Sequence, residues 1–275
     1  MTGVTPLHAI VLVGGKGSRL LPYTRTRPKA LLELGGHSVL EIILRRLRAF
    51  GFDRVTLCVS HLGEQIRAEI GDGARLGLSV DYSVDERPLG TAAPLRLTLG
   101  WTGPAVVMNG DILTTLDFAD LHRAHERTGS VLTVAFLRRR FTAGVGLVRL
   151  EEDRVIEVME KPTFGLNVSS GIYVVSPSAL DHIPEGPADM PTLINNLIGH
   201  GEPVHGYGFA GSWHDIGTPA RYEEAKKAFQ SEPRRYLEPG PPGATEHVAV
   251  DELAAVRDIG LLVDGGGHQR KEARA

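Results

Sequence analysis

The chain's first long apolar stretch is Ala9-Ile10-Val11-Leu12-Val13, stopped by Gly14-Gly15. A run of this length without polar alternation is the pattern of a strand buried on both faces. Similar runs recur at 54–59, 78–84, 105–108, 131–137, 146–150, 154–160 and 171–175. Helical spacing separates the early ones. Over 38–50, Val39, Leu40, Ile43, Leu44 and Leu47 fall on one stripe, with Ser38 placed to cap the start and Gly51 to end it. Segments 63–70, 91–99 and 117–127 read as further helices. Alternating strands and helices predict an α/β fold, a Rossmann-like, mostly parallel mixed sheet with helices on both faces. After 131 the strands crowd together, which predicts a β-rich insertion with hairpins in the second half. Helices are expected again at 176–182, 190–200 and 219–229.

The texture changes from Ser231 onward. Glu238-Pro239-Gly240-Pro241-Pro242-Gly243 cannot hold regular structure, because prolines lack a donor and glycines are entropically costly to fix. A short helix is expected over 249–257, followed by Gly265-Gly266-Gly267 and a charged end. The expected division is a domain over 1–230 and a partly disordered C-terminal appendage over 231–275.

Charge and composition remove several classes. Thirty Lys and Arg against 33 Asp and Glu leave a net charge of −3, with no basic footprint for nucleic acid. No apolar run approaches the roughly 18–20 residues of a membrane span, and 8–13 lacks the basic flank and cleavage site of a signal peptide. A cytoplasmic enzyme is expected. The single cysteine, Cys58, excludes an intrachain disulfide framework and a thiolate metal cluster. Glycine is in excess, 33 of 275 residues, and its placement matters more than its number.

The sharpest local feature is GGKGSRLLPYTRTRPK at 14–29, directly after the first strand. Three glycines in four positions let backbone N–H groups face a phosphate with no Cβ in the way. Arg19, Arg25, Arg27 and Lys29 come next, a concentration of cations suited to a nucleoside triphosphate. The segment matches neither GxxxxGK[ST] nor GxGxxG, since leucine stands at position 20.

The same segment resembles the opening motif of the sugar-nucleotide pyrophosphorylases, roughly GGxGTRLxPLTxxxPKxLLPV, with Ser18, Tyr23 and Glu33 as departures. The resemblance continues in order through ERPLGTAAPL (86–95), NGD (109–111), EKP (160–162), SSGIYV (169–174) and WHDIGTP (213–219), and so covers 8–230. It implies condensation of an NTP with a sugar 1-phosphate to give an NDP-sugar and pyrophosphate. Nucleophile and leaving group are both anionic, so such a site must supply in-line positioning and charge neutralisation rather than a general base.

The resemblance assigns roles residue by residue. Arg19 would take the leaving pyrophosphate, Lys29 the α-phosphate and Lys161 the attacking sugar phosphate. Leu12, Gly14, Gly15, Gly17 and Ser18 would hold the nucleotide, together with Gly90 and Thr91. Asp111 and Asp215 would be ligands to Mg²⁺, which usually takes only one or two protein carboxylates. Asp111 also comes after a strand, where ligands bind in open α/β sheets. His122 and His125, at i, i+3 spacing, lack a third ligand and are expected on a solvated helix face.

Relatives that use thymidine or uridine nucleotides commonly carry glutamine five residues before the PLGTA glycine; here Asp85 stands there, with Glu86 next. A carboxylate accepts only, and guanine offers it N1–H and the 2-amino group together. With the likeness of ERPLGTAAPL to the mannose-1-phosphate guanylyltransferase motif, this points to GTP. For the sugar, the resemblance implies Asn109, Gly146, Glu160, Ser169 and Gly171. Ser169 stands where the family usually has asparagine, and Val145 replaces the usual tyrosine, which widens the expected acceptor to a cyclitol 1-phosphate.

Other readings predict other residues. Thymidylyl-, uridylyl- and adenylyltransferases share the reaction. A glycosyltransferase would carry DxD where this chain has Asn109-Gly110-Asp111, and a silent regulatory homologue would lack one of Arg19, Lys29, Asp111, Lys161 or Asp215. The tail is too short for a full β-helix and is expected to be at most a docking segment or a contact in a homo-oligomer.

Overall fold

In a computed structural model of the chain, residues 7–239 are described. The expected helix at 249–257 and the glycines beyond it lie outside them. The chain opens with β1 (Leu7–Leu12), the short pair β2 (Glu33–Leu34) and β3 (His37–Ser38), and α1 (Val39–Ala49). Then come β4 (Phe52–Val59), α2 (Gly63–Ile70), β5 (Ser79–Val84), β6 (Ala105–Asn109), β7 (Ile112–Thr114) and α3 (Phe118–Thr128). The β-rich part holds β8 (Leu132–Thr142), β9 (Leu147–Glu151), β10 (Arg154–Met159) and β11 (Thr163–Val175). After it come α4 (Met190–Gly199), β12 (Val204–Gly208), β13 (Trp213–Asp215), α5 (Pro219–Ser231) and α6 (Pro233–Leu237).

A seven-stranded sheet in the order β12-β8-β11-β6-β1-β4-β5 forms the centre. β1 pairs parallel with both β4 and β6, β5 extends β4 in parallel, and β11 runs antiparallel to β6. This is the mixed α/β sheet that the sequence pattern predicts. The apolar runs are continuous because both faces are covered: Ala9 and Val11 point into one core, Ile10 into the other. Val106 and Met108 divide from Ala105 and Val107 in the same way.

Ser38 caps α1 as expected, its hydroxyl accepting from Glu41 N at 3.2 Å, and Gly51 ends the helix at φ +85°. Other expectations fail for identifiable reasons. The helix expected at 91–99 is only a 3₁₀ turn, Ala93–Leu97. Its amides bond three residues back rather than four, Leu95 N to Ala92 O at 3.0 Å and Thr98 N to Leu95 O at 3.2 Å, while Ala92 N and Ala93 N anchor its start on Ala188 O. The expected helix at 176–182 is likewise a 3₁₀ turn, Pro177–His182. Strands β7, β12 and β13 were not expected. His122 and His125 are buried rather than solvated: His125 sits between the hydroxyls of Thr133 and Ser176, 2.9 Å from each, and burial pushes its pKa down to about 4.

The fold divides into two units. The first holds the described residues up to Leu137 and from Val168 on; the second is Arg138–Asn167. Residues 231–237, assigned from the sequence to the appendage, belong to the first unit's core, where Tyr236 is buried. Arg46, 3% exposed, binds them: its guanidinium donates to Thr115 O, Leu116 O, Arg235 O and Glu238 O. No helix among the described residues is long and apolar enough to cross a membrane.

Candidate active site

Parallel strands β1, β4 and β6 end side by side, and the loops that leave them open onto one cavity of about 470 Å³ in the first unit. After β1 come Gly14, Gly15, Lys16, Gly17, Ser18 and Arg19, with Leu12 at the strand's end; after β4, Ser60 and His61; at the end of β6 and beyond it, Asn109, Gly110 and Asp111. Lys29 closes one side, and Asp85 with the segment Pro88–Thr91 another. Twelve site residues inferred from sequence thus meet in one place: Leu12, Gly14, Gly15, Gly17, Ser18, Arg19, Lys29, Asp85, Gly90, Thr91, Asn109 and Asp111.

The glycine loop has the properties a phosphate cradle needs. Among the described residues, no amide of 14–18 donates to a backbone carbonyl, which leaves these N–H groups for a ligand. Gly17 is left-handed at φ +63°, and a Cβ there would meet Thr24 at 2.9 Å, so the turn that aims the loop depends on glycine. Lys29 forms an ion pair with Asp111, and both side chains are largely buried at the cavity wall. Arg19 is exposed and lines the cavity. Arg27 is not a phosphate ligand: it is spent on Leu31 O at 2.7 Å and on Glu33 and Glu69 at 3.3 and 3.2 Å. Arg25 is exposed and absent from the cavity wall.

Asp85 is the chemically unusual group. It lies just past β5, is 8% exposed, and its Oδ1 has no hydrogen-bond partner among the described residues. Burial pushes its pKa up to about 6. Its neighbour Glu86 is exposed and does not line the cavity.

The segment that carries Gly90 and Thr91 is held by an element the sequence pattern did not connect to it. Asp189 Oδ1 accepts from Thr91 N at 3.0 Å, and Thr91 Oγ1 accepts from Met190 N at 2.8 Å, capping α4 from outside its own chain segment. Gly90, at φ +86°, is pressed against Ala188 O, where a Cβ would come within 2.5 Å. Asp-Met-Pro at 189–191 is a helix-start pattern that points to α4, but not to the loop it holds. Ser60 and His61 were also missed. Their place just after the second apolar run is the one signal the sequence offers.

The two carboxylates expected to hold a metal lie on adjoining backbone. Asp215 on β13 pairs with Ile112 on β7, and Ile216 N donates to Asp111 O at 3.0 Å. Asp111 lines the cavity; Asp215 does not, although Gly217 beside it does. Asp215 also accepts from Arg221 at 2.8 Å. Among the described residues no group of three or more His, Cys, Asp or Glu is placed to hold a metal. Two hard oxygen donors suit a cation that takes the rest of its shell from phosphate and water, as Mg²⁺ does.

The expected sugar residues are divided between the units. In the first, Gly171 packs on Asn109, with room for no Cβ, since Asn109 Nδ2 would lie 2.7 Å away. Ser169 is turned inward to Tyr173 OH at 3.4 Å. In the second, Glu160 and Lys161 come after β10, both exposed, with Lys161 at φ +44°, and Gly146 lies against the Glu160 carboxylate.

Comparison with known proteins is consistent in kind. A family model described as nucleotidyl transferase matches residues 8–232. A mannose-1-phosphate guanylyltransferase of Mycobacterium tuberculosis is 34% identical over 271 residues, 94% of this chain and 74% of that protein. A UTP–glucose-1-phosphate uridylyltransferase of Synechocystis is 29% identical over 82% of this chain and 64% of that protein. Among solved structures, HddC from Yersinia pseudotuberculosis complexed with GMP-PN superposes with a TM-score of 0.65 at 22% identity, over 81% of this chain and 99% of that one. The first shares the motifs' reaction class and the last shares the fold. The chain belongs to the nucleotidyl transferase family.

Proposed function

We propose that this nucleotidyltransferase joins the guanylyl group of GTP to a sugar or cyclitol 1-phosphate and releases pyrophosphate. The triphosphate lies over the glycine loop, whose amides of 14–18, unpaired among the described residues, supply donors at no reorganisation cost. Arg19 binds the β- and γ-phosphates, where a guanidinium fork can bind bidentately. Lys29 is held in place by Asp111 before substrate arrives and neutralises the charge that develops at the α-phosphate. Asp111 and Asp215 would hold Mg²⁺, which, when bound, supplies neutralisation of the phosphate oxygens. Within the first unit, Asn109, Ser169 and Gly171 are the residues proposed to meet the sugar.

The observation that carries the choice of base is Asp85. A buried carboxylate with an orphaned oxygen at a cavity wall costs free energy unless a ligand supplies donors. Guanine supplies two on one edge, whereas uracil and thymine supply one. Glu86, exposed outside the cavity, takes no part. The relative from Mycobacterium tuberculosis, a guanylyltransferase by name, supports the same reading.

The test is nucleotide selectivity. With Mg²⁺ and a panel of sugar and cyclitol 1-phosphates, kcat/KM for GTP is expected to exceed that for UTP, dTTP, CTP and ATP. Asp85→Asn is expected to lower the GTP value by roughly 10–100-fold, the worth of a lost charge-assisted hydrogen bond, while UTP turnover changes little. A preference for GTP that survives in D85N would show that Asp85 does not read the base.

A further inference from the structure

Three strand ends meet in a row at the wall of the cavity. In the register of β1 with β4, Leu12 stands opposite Cys58, and Val13 N donates to Cys58 O at 2.9 Å, so Gly14 falls beside Ser60. In the register of β4 with β5, Val59 stands opposite Val84, and Asp85 N donates to Val59 O at 2.9 Å, so Asp85 falls on the other side of Ser60. Neighbouring strands are about 4.8 Å apart, within the span of one base edge. Gly14, Ser60 and Asp85 all line the cavity. Gly14 brings no side chain into the row, and a Cβ there would come within 3.1 Å of Ser60 Cβ. The side-chain polar groups of the row are therefore the hydroxyl of Ser60 and the carboxylate of Asp85.

Neither group satisfies the other. Asp85 Oδ1 has no hydrogen-bond partner among the described residues, so the hydroxyl beside it does not donate to it. Ser60 is half-buried; its backbone O accepts from Gly63 N at 3.2 Å, but its hydroxyl has no partner among the described residues. Adjacent donors and acceptors away from water ordinarily close on each other, because each otherwise forfeits the bonds that water gave it. Two such groups left open side by side are placed for a third.

We infer that Ser60 is a second base-reading residue, donating to O6 of guanine while Asp85 accepts from N1–H and the 2-amino group. It rests on Asp85 being the acceptor proposed for the base. Along one edge guanine presents O6, then N1–H, then the 2-amino group, and from β4 to β5 the row presents a hydroxyl donor, then a carboxylate. An O6 carried into the cavity without a donor would lose its water uncompensated. Adenine and cytosine set an unprotonated ring nitrogen against the carboxylate. Uracil fits the hydroxyl through O4 and one carboxylate oxygen through N3–H, but turns O2, an acceptor, toward the other. The loop amides of 14–18 are the rival donors, and the triphosphate takes those. Asp85 alone tests two positions of the base; Ser60 adds the third.

The experiment is steady-state kinetics of the full chain and of Ser60→Ala with GTP, ITP and 6-thio-GTP, using the 1-phosphate on which the parent is most active. Alanine keeps the Cβ beside Gly14 and removes only the hydroxyl. ITP lacks the 2-amino group and keeps O6, whereas 6-thio-GTP keeps both donors and carries sulfur, a weak acceptor, in place of O6. In S60A the ratio of kcat/KM for GTP to that for 6-thio-GTP is expected to fall about 3–10-fold, the worth of one neutral hydrogen bond. The ratio of GTP to ITP should stay level, since both keep O6. Neither ratio depends on the fraction of enzyme that is folded. An unchanged ratio of GTP to 6-thio-GTP would overturn the inference and give O6 to a backbone amide. Failure of the reading beneath it looks different: a parent with no preference for GTP, or a D85N that keeps one, removes base recognition by Asp85, and the role of Ser60 falls with it.

Discussion

Asp85 has a pKa of about 6, above the ordinary value near 4 of an unfolded chain. Between those values the folded protein holds a proton that the unfolded chain has lost. This group's contribution to stability is therefore full below pH 4 and lost as pH rises through 6. Asp85→Asn removes that slope, and the ligand-free variant is expected to be more stable than the parent at pH 7 by up to about 3 kcal/mol. Denaturant titrations at pH 4.5 and 7 check this; an unchanged difference between the two pH values would contradict it. Guanine donors need the charged form, so the KM for GTP should rise as pH falls from 7.5 to 5.5 in the parent and stay level in D85N. The position of Asp85 was legible in the sequence from its distance to Gly90. Its burial and orphaned oxygen were not, because they arise only where the end of β5 meets the segment after Gly90. Arg27 shows the opposite error: it sits in a run of cations that reads as suited to a triphosphate, but the acids that occupy it come from 33 and 69.

Among the elements, the segment Pro88–Thr91 at the cavity wall and α4 act as one piece through Thr91 and Asp189. Thr91→Ala removes both the cap on α4 and a hydrogen-bond partner of Asp189. It is expected to cost about 1 kcal/mol of stability and to raise the KM for GTP several-fold with kcat nearly unchanged. Thr91→Ser should restore both, and steady-state kinetics of the two variants checks it. A fall in kcat with unaltered KM would place Thr91 in the chemistry instead. Gly90→Ala is expected to be far worse, since its φ is positive and Ala188 O leaves no room. The apolar spacing at 91–99 does not separate α from 3₁₀ winding over so short a stretch, and the structure takes the tighter turn. Strand β12 was hidden by its own composition. Its Gly206 lowers strand propensity, yet a Cβ there would come within 2.9 Å of Phe136.

For the molecule as a whole, the α/β sheet was legible because strands buried on both faces need unbroken apolar runs. The gathering of motifs around one cavity results from that sheet, since β1, β4 and β6 are adjacent in space although far apart in sequence. The end of the domain was not legible. Arg46 of α1 is buried and ties the backbone of Thr115 and Leu116 to that of Arg235 and Glu238. Arg46→Ala would leave four carbonyls without their donor and is expected to cost about 3–5 kcal/mol, read as a lowered unfolding midpoint. A change below about 1 kcal/mol would show that α6 is held by packing alone. Nucleotidyl transfer to a sugar-like 1-phosphate is measured as pyrophosphate release from the full chain. The assay supplies Mg²⁺, each of the five NTPs, and a panel of sugar and cyclitol 1-phosphates, with Asp111→Ala as control. Release is expected to require both substrates, to be greatest with GTP, and to be lost in a folded D111A. Absence of release with every pair, or release equal in D111A, would rule this chemistry out.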